Sequence, residues 1–148
     1  MTTSETYKLE LAASEVAAAY RYARGEALRG ADPHGVHVDV AQNRIRLFRL
    51  PTLSPPTPAY DVNHPLTKRL YDIDLDAQPA TEGVTVASGA VWSATCDQPS
   101  FFGFDSAGTP RCGDPWPVTL EVGGVMLSYQ GHTRAVVVDG ETGRVTVQ

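Results

Sequence analysis

Residues 7–40 read YKLELAASEVAAAYRYARGEALRGADPHGVHVDV, and the hydrophobic period changes within them. In the first part Leu9, Ala13, Val16, Tyr20, Ala23 and Ala27 recur at alternating spacings of four and three, an apolar stripe along one helix face. Ala12, Ala17, Ala18 and Ala19 add helix propensity. Glu5 and Glu10 stand early, Arg24 and Arg29 late, as the helix dipole favours. Gly30 can cap the end and Pro33 blocks continuation. The spacing predicts a helix over residues 7–29 whose small-residue stripe can lie close on a sheet. Beyond Pro33 the period falls to two. Val36, Val38 and Val40 alternate with His37 and Asp39, as in a half-buried strand. Ala41-Gln42-Asn43 predicts a turn. Arg44 to Leu50 predicts the returning strand, with Ile45 and Leu47 on one face and Arg44 and Arg46 on the other.

Further along, Pro51 to Pro58 carries four prolines in eight residues and reads as a loop, not a core strand. Leu70–Leu75, Val84–Val91 and Phe101–Phe104 read as strands, the last followed by a turn from Asp105 to Pro110. Val118 to Val122 predicts a strand, Gly123-Gly124 a reversal, and Val125 to Tyr129 the next strand. Arg134–Val138 and Arg144–Val147 flank Asp139-Gly140-Glu141-Thr142-Gly143, a closing hairpin. One helix and about eight short strands make an α+β domain.

The 148 residues suit one domain; 42% are hydrophobic and 20% charged, as in folded proteins, and 13 Gly with 11 Pro are turn-rich. The net charge of -5 argues against a general polyanion binder, and it is uneven. Residues 1–74 hold nine basic and nine acidic residues; residues 75–148 hold three and eight. Arg44, Arg46 and Arg49 are candidates for an anionic partner such as DNA, against the plainer reading of a solvated strand face. No apolar run approaches the roughly 18 residues that span a bilayer.

Chemistry is hard to find. His34 and His37 flank a helix-to-strand transition, and His64 and His132 lie far off in sequence, so no metal-ligand set forms. Asp72, Asp74 and Asp76 open like a calcium loop, but Ala77 stands where Gly is needed and Gly83 where the bidentate Glu belongs. Trp92, Trp116, Phe101 and Phe102 read as core or loop packing, or else as a binding patch. Nothing pairs a nucleophile with a base. No catalytic residue, metal or cofactor is expected. Cys96 and Cys112, the only cysteines, form a loop-stapling disulfide in an oxidising compartment or two free thiols in a reducing one.

The order of three motifs adds a resemblance. The helix ends in Ala23-Arg24-Gly25-Glu26-Ala27. Phe104-Asp105-Ser106-Ala107-Gly108 makes a turn, and the chain closes on Thr142-Gly143-Arg144-Val145. Over residues 9–147 this resembles the globular domain of the minor pseudopilin H family of type II secretion systems, related to the minor pilins of type IV pili. The resemblance implies an N-terminal α-helix packed on a two-sheet, mostly antiparallel β domain. It implies a single pilin-like domain over 1–148, with residues 1–6 a tail or recombinant start, the helix over 7–29 and the β part over 34–148. It implies assembly without catalysis near the tip of a pseudopilus, or alternatively in a type IV pilus with a DNA-binding role. The partners would be other pseudopilin or minor pilin subunits. The family's apolar membrane helix is missing here, so the implied location is the periplasmic side of an inner-membrane anchor. That compartment makes a Cys96–Cys112 disulfide the expectation. Glu15 and Arg21, offset from the apolar stripe, are the expected subunit-contact residues, with Arg21 free for a neighbour.

Overall fold

The computed structural model describes residues 3–30, 32–53, 56–94, 101–113 and 116–148. Helix α1 spans Thr3–Leu28, so it begins before residue 7, where the periodicity placed its start. Among the described residues ten strands follow: β1 His34–Asp39, β2 Arg44–Leu53, β3 Pro56–Ala59, β4 Asp72–Asp74, β5 Thr85–Ala94, β6 Phe101–Phe104, β7 Pro110–Cys112, β8 Val118–Tyr129, β9 His132–Asp139 and β10 Val145–Val147. The predicted hairpin forms, with Val38 opposite Ile45 and His37 opposite Arg46. One sheet runs β7-β6-β1-β2-β3, with β4 also paired to β2. The second is β5-β8-β9-β10. Val118 and Thr119, at the start of β8, pair with β7 and join the two. All pairings are antiparallel.

Helix α1 packs against β1 and against β8, β9 and β10, so it touches both sheets. Its whole predicted stripe is buried. Ala12, Ala17 and Ala19 are buried as well, because a helix lodged on two sheets hides a wider face than one on a single sheet. On β2, Ile45 and Leu47 join this core, while Phe48 and Leu50 point to the other face and pack with Phe101, Tyr60 and Trp116. Phe101, Phe102 and Trp116 are therefore packing residues; the side chain of Trp92 lies outside the described residues.

Tyr20 stacks on Phe102 at 5.7 Å, and Phe102 meets Phe104 edge-on at 5.9 Å. The Tyr20 hydroxyl is fully buried and finds no hydrogen-bond partner among the described residues. Burial alone pushes its phenol pKa up. An unpaired buried hydroxyl costs about 1–3 kcal/mol. Tyr20→Phe keeps the ring stack and is expected to raise the melting temperature by a few degrees. A lowered melting temperature would show that the hydroxyl is satisfied.

Three readings of the sequence are corrected. Gly123-Gly124 does not reverse the chain, because β8 runs straight through it between β5 and β9. The reversal comes at Gln130-Gly131, both at positive φ (50° and 83°), which closes the β8–β9 hairpin with Tyr129 opposite His132. Pro51 to Pro58 is largely strand: Thr52 pairs with Thr57 and Leu53 with Pro56. It lies at the sheet edge, where a residue without an N–H removes no ladder bond. The strand read over Leu70–Leu75 shrinks to β4, followed by a 3₁₀ turn over Leu75–Ala77.

Asn43, read only as a turn residue, anchors that region. It sits at φ 56°, a left-handed conformation that Asn tolerates. Its buried amide donates to Val84 O at 2.7 Å and accepts from Val86 N at 2.6 Å, tying the β1–β2 turn to the start of β5.

Candidate assembly surface

The candidate contact residues sit differently from each other. Glu15 is half-buried at a groove of about 360 Å³ between the exposed side of α1 and the segment before β4. Ala18, Leu70, Tyr71 and Ile73 form the groove's apolar wall. Glu15 makes no ion pair among the described residues. Burial raises its carboxyl pKa. Leu70 beside it is 59% exposed and nearby Leu66 is 85% exposed.

Arg21 is exposed but not free: its Nη2 donates to Val145 O on β10 at 3.1 Å. Helical spacing gave its direction correctly, yet could not show that the last strand passes within reach. Arg24, one turn on, is a tie the sequence did not disclose. Its Nε donates to Gly108 O at 3.0 Å and its Nη2 to Thr142 O at 3.1 Å. One guanidinium thus holds the helix end, the Phe104–Gly108 turn and the Thr142–Val145 hairpin together. Those are the three motifs on which the resemblance rests. Each turn is preset by an aspartate: Asp105 Oδ1 accepts from Ala107 and Thr109 N–H, and Asp139 Oδ1 from Glu141 and Thr142 N–H. The two bonds at Asp139 hold its carboxyl below the usual carboxylate range.

Two of the three arginines on β2 are paired with carboxylates within the fold. Arg44 pairs with Asp72. Arg49 grips Asp61 through both carboxylate oxygens at 2.8 Å and reaches Asp32 at 2.8 Å. Arg46 lies 4.2 Å from the Tyr60 ring centre. Burial, then the neighbouring Arg46 charge, lowers the His37 pKa, so the imidazole adds little positive charge.

The acidic run is also occupied with structure: Asp74 Oδ1 caps the 3₁₀ turn at Asp76 N, and Asp76 accepts from Asn43 Nδ2. Among the described residues no group of three His, Cys, Asp or Glu side chains could hold a metal. Cys112 is buried and has no free thiol; Cys96 lies outside the described residues.

No family model and no curated protein matches the chain at the level of sequence. Solved structures do match. The minor pseudopilin EpsH from the type 2 secretion system of Vibrio cholerae aligns with a TM-score of 0.61 at 14% identity, covering 95% of this chain and 96% of that one. A second EpsH structure gives a TM-score of 0.57 at 16% identity, covering 95% and 92%. The type IV minor pilin FimU of Pseudomonas aeruginosa strain PAO1 aligns with a TM-score of 0.56 at 15% identity, covering 99% and 92%. The chain has a pilin-like fold. Its N-terminal helix on two mostly antiparallel sheets is the α+β architecture of those neighbours. Among the described residues no helix is long and apolar enough to cross a membrane.

Proposed function

We propose that this chain is the globular part of a minor pseudopilin, a structural subunit near the tip of a type II secretion pseudopilus. The observation that supports this most is the likeness to EpsH along nearly the full length of both chains. The subunit catalyses no reaction and takes no cofactor. It joins other pilin-like subunits from the periplasmic side of an inner-membrane anchor, which would precede α1. The likeness to FimU favours a second reading, a minor pilin of a type IV pilus. A DNA-binding role gains little support, because Arg44 and Arg49 are already paired with carboxylates.

The contact surface in this reading is the exposed side of α1, with Glu15 and Arg21, and the groove beside it. Charge reversals test it in the full-length protein. Arg21→Glu loses one hydrogen bond and is expected to cost about 1 kcal/mol, a few degrees of melting temperature. Glu15→Lys is expected to cost no more. Both should cut secretion, or pilus assembly if the second reading holds, because charges at an interface reject mismatched partners. If both folded variants secrete and assemble pili normally, this face is not the contact surface.

The reading also makes Cys96–Cys112 a disulfide of the periplasmic domain. Alkylation and mass spectrometry of unreduced protein from an oxidising compartment should find no free thiol, and two labelled cysteines would refute the pairing.

A further inference from the structure

Two of the outer strands, β3 and β10, are guarded in different ways. At β3, Pro56 and Pro58 remove N–H donors and close the edge to another strand. At β10 the guard is a side chain. Gln148 and Ala135 exchange both main-chain hydrogen bonds at 2.8 and 3.0 Å, Thr146 faces Val137, and Asp139 N donates to Arg144 O at 3.0 Å. In an antiparallel ladder the alternate residues, Val145 and Val147, then turn their N–H and C=O groups outward. Of these groups, Val145 O takes the Arg21 guanidinium. Val147 is 40% exposed.

This edge opens on a cleft of about 670 Å³ between β10 and α1. Arg21, Arg24 and Arg144 line it, and no acidic residue does. The Arg144 side chain is exposed and makes no ion pair among the described residues. In a chain of net charge -5, a cleft lined by three arginines and no acidic residue is a local inversion of sign.

We propose that this cleft receives an extended, carboxylate-bearing segment of a partner protein by strand addition to β10. The partner's main chain pairs with the outward groups of Val145 and Val147, and Arg21 swings off Val145 O to admit it. A carboxylate side chain on the added strand takes Arg144 and the released Arg21, in the two-pronged geometry that guanidinium and carboxylate share. The two interactions divide the labour: the strand edge selects an extended backbone, and the arginines select an acidic one. The inference goes beyond the assembly reading and does not need it, since any protein with such a segment would serve.

The test is a titration of the full chain followed through its backbone amide NMR signals. The probes are the blocked peptide acetyl-Thr-Glu-Val-Glu-Val-amide, its counterpart with Gln for Glu, and sodium sulfate. The acidic peptide should shift the Val145 and Val147 amides and bind at least about tenfold more tightly than the Gln peptide, the worth of roughly one charge-assisted pair. Val147→Pro removes an outward N–H at an exposed edge, where proline is tolerated, and should abolish binding with every arginine in place. Arg21→Gln with Arg144→Gln should weaken binding at least about tenfold while the remaining spectrum keeps its dispersion. Three results would each overturn the proposal: no saturable shift at β10, equal binding of the two peptides, or sulfate reproducing the peptide's shifts. The secretion assay is a separate readout, so the two proposals fail independently.

Discussion

Replacing Gly124 by alanine is expected to cost about 3 kcal/mol or more, roughly 10 °C of melting temperature, and to loosen β9 and β10 with it. Gly124 lies mid-strand in β8, flanked by Ala90 of β5 and Val137 of β9. Its φ of 141° is one that side-chain-bearing residues rarely adopt. A methyl there would overlap the Val136 carbonyl oxygen and stand 2.9 Å from the Val136 carbonyl carbon, so two hydrogen-bonded strands would have to part. Gly25→Ala is the control. It sits on the exposed side of α1 with nothing within 4 Å of the new methyl, and should gain about 0.5–1 kcal/mol from helix propensity. If Gly124→Ala melts within a degree or two of the unaltered protein, the close strand approach is not a constraint on this fold.

Gly124 also marks where reading the sequence fails. Two adjacent glycines between apolar alternations signal either a reversal or a place where backbones come too close for a side chain. The choice depends on what lies beside the strand, and that is tertiary information. Gln130-Gly131 shows the converse: a two-residue turn that makes the true reversal but looks unremarkable beside a Gly-Gly pair. The helix was legible because Leu9 to Ala27 repeat over five turns on one face, and the β1–β2 hairpin because alternation is strict on both sides of the turn. At Pro51–Pro58 the local rule was sound, but an edge position relaxed it. The surface was less legible than the core. Helical spacing placed Glu15 and Arg21 off the buried stripe. It could not show that Glu15 borders a groove built by residues about 50 positions away, or that Arg21 reaches the last strand. Those facts belong to the way the β domain wraps back onto α1, which no local period encodes.

The same wrapping makes Arg24 the most consequential polar side chain on the helix. Arg24→Met keeps the aliphatic stem and removes the guanidinium's bonds to Gly108 O and Thr142 O. A hydrogen bond from a charged donor is worth about 1.5–3 kcal/mol, and these carbonyls are partly open to water, so the expected loss is about 2–3 kcal/mol for the pair. Arg24→Lys should recover less than half of it, because one ammonium on a flexible stem cannot span two turns as a planar fork does. Arg21→Met, which loses a single bond, should cost clearly less. Gly143 tests whether the joint is one unit. It sits at φ 74°, and a methyl there would lie 2.8 Å from Arg24 Nε and overlap the Gly108 carbonyl oxygen. Gly143→Ala alone therefore already pushes the helix, the Asp105 turn and the Asp139 turn apart. The double variant Arg24→Met with Gly143→Ala should then cost less than the two single losses added, by at least about 1 kcal/mol, as contacting residues in a shared network do. Strict additivity would mean that the three motifs merely lie near one another and that Arg24 does not couple them.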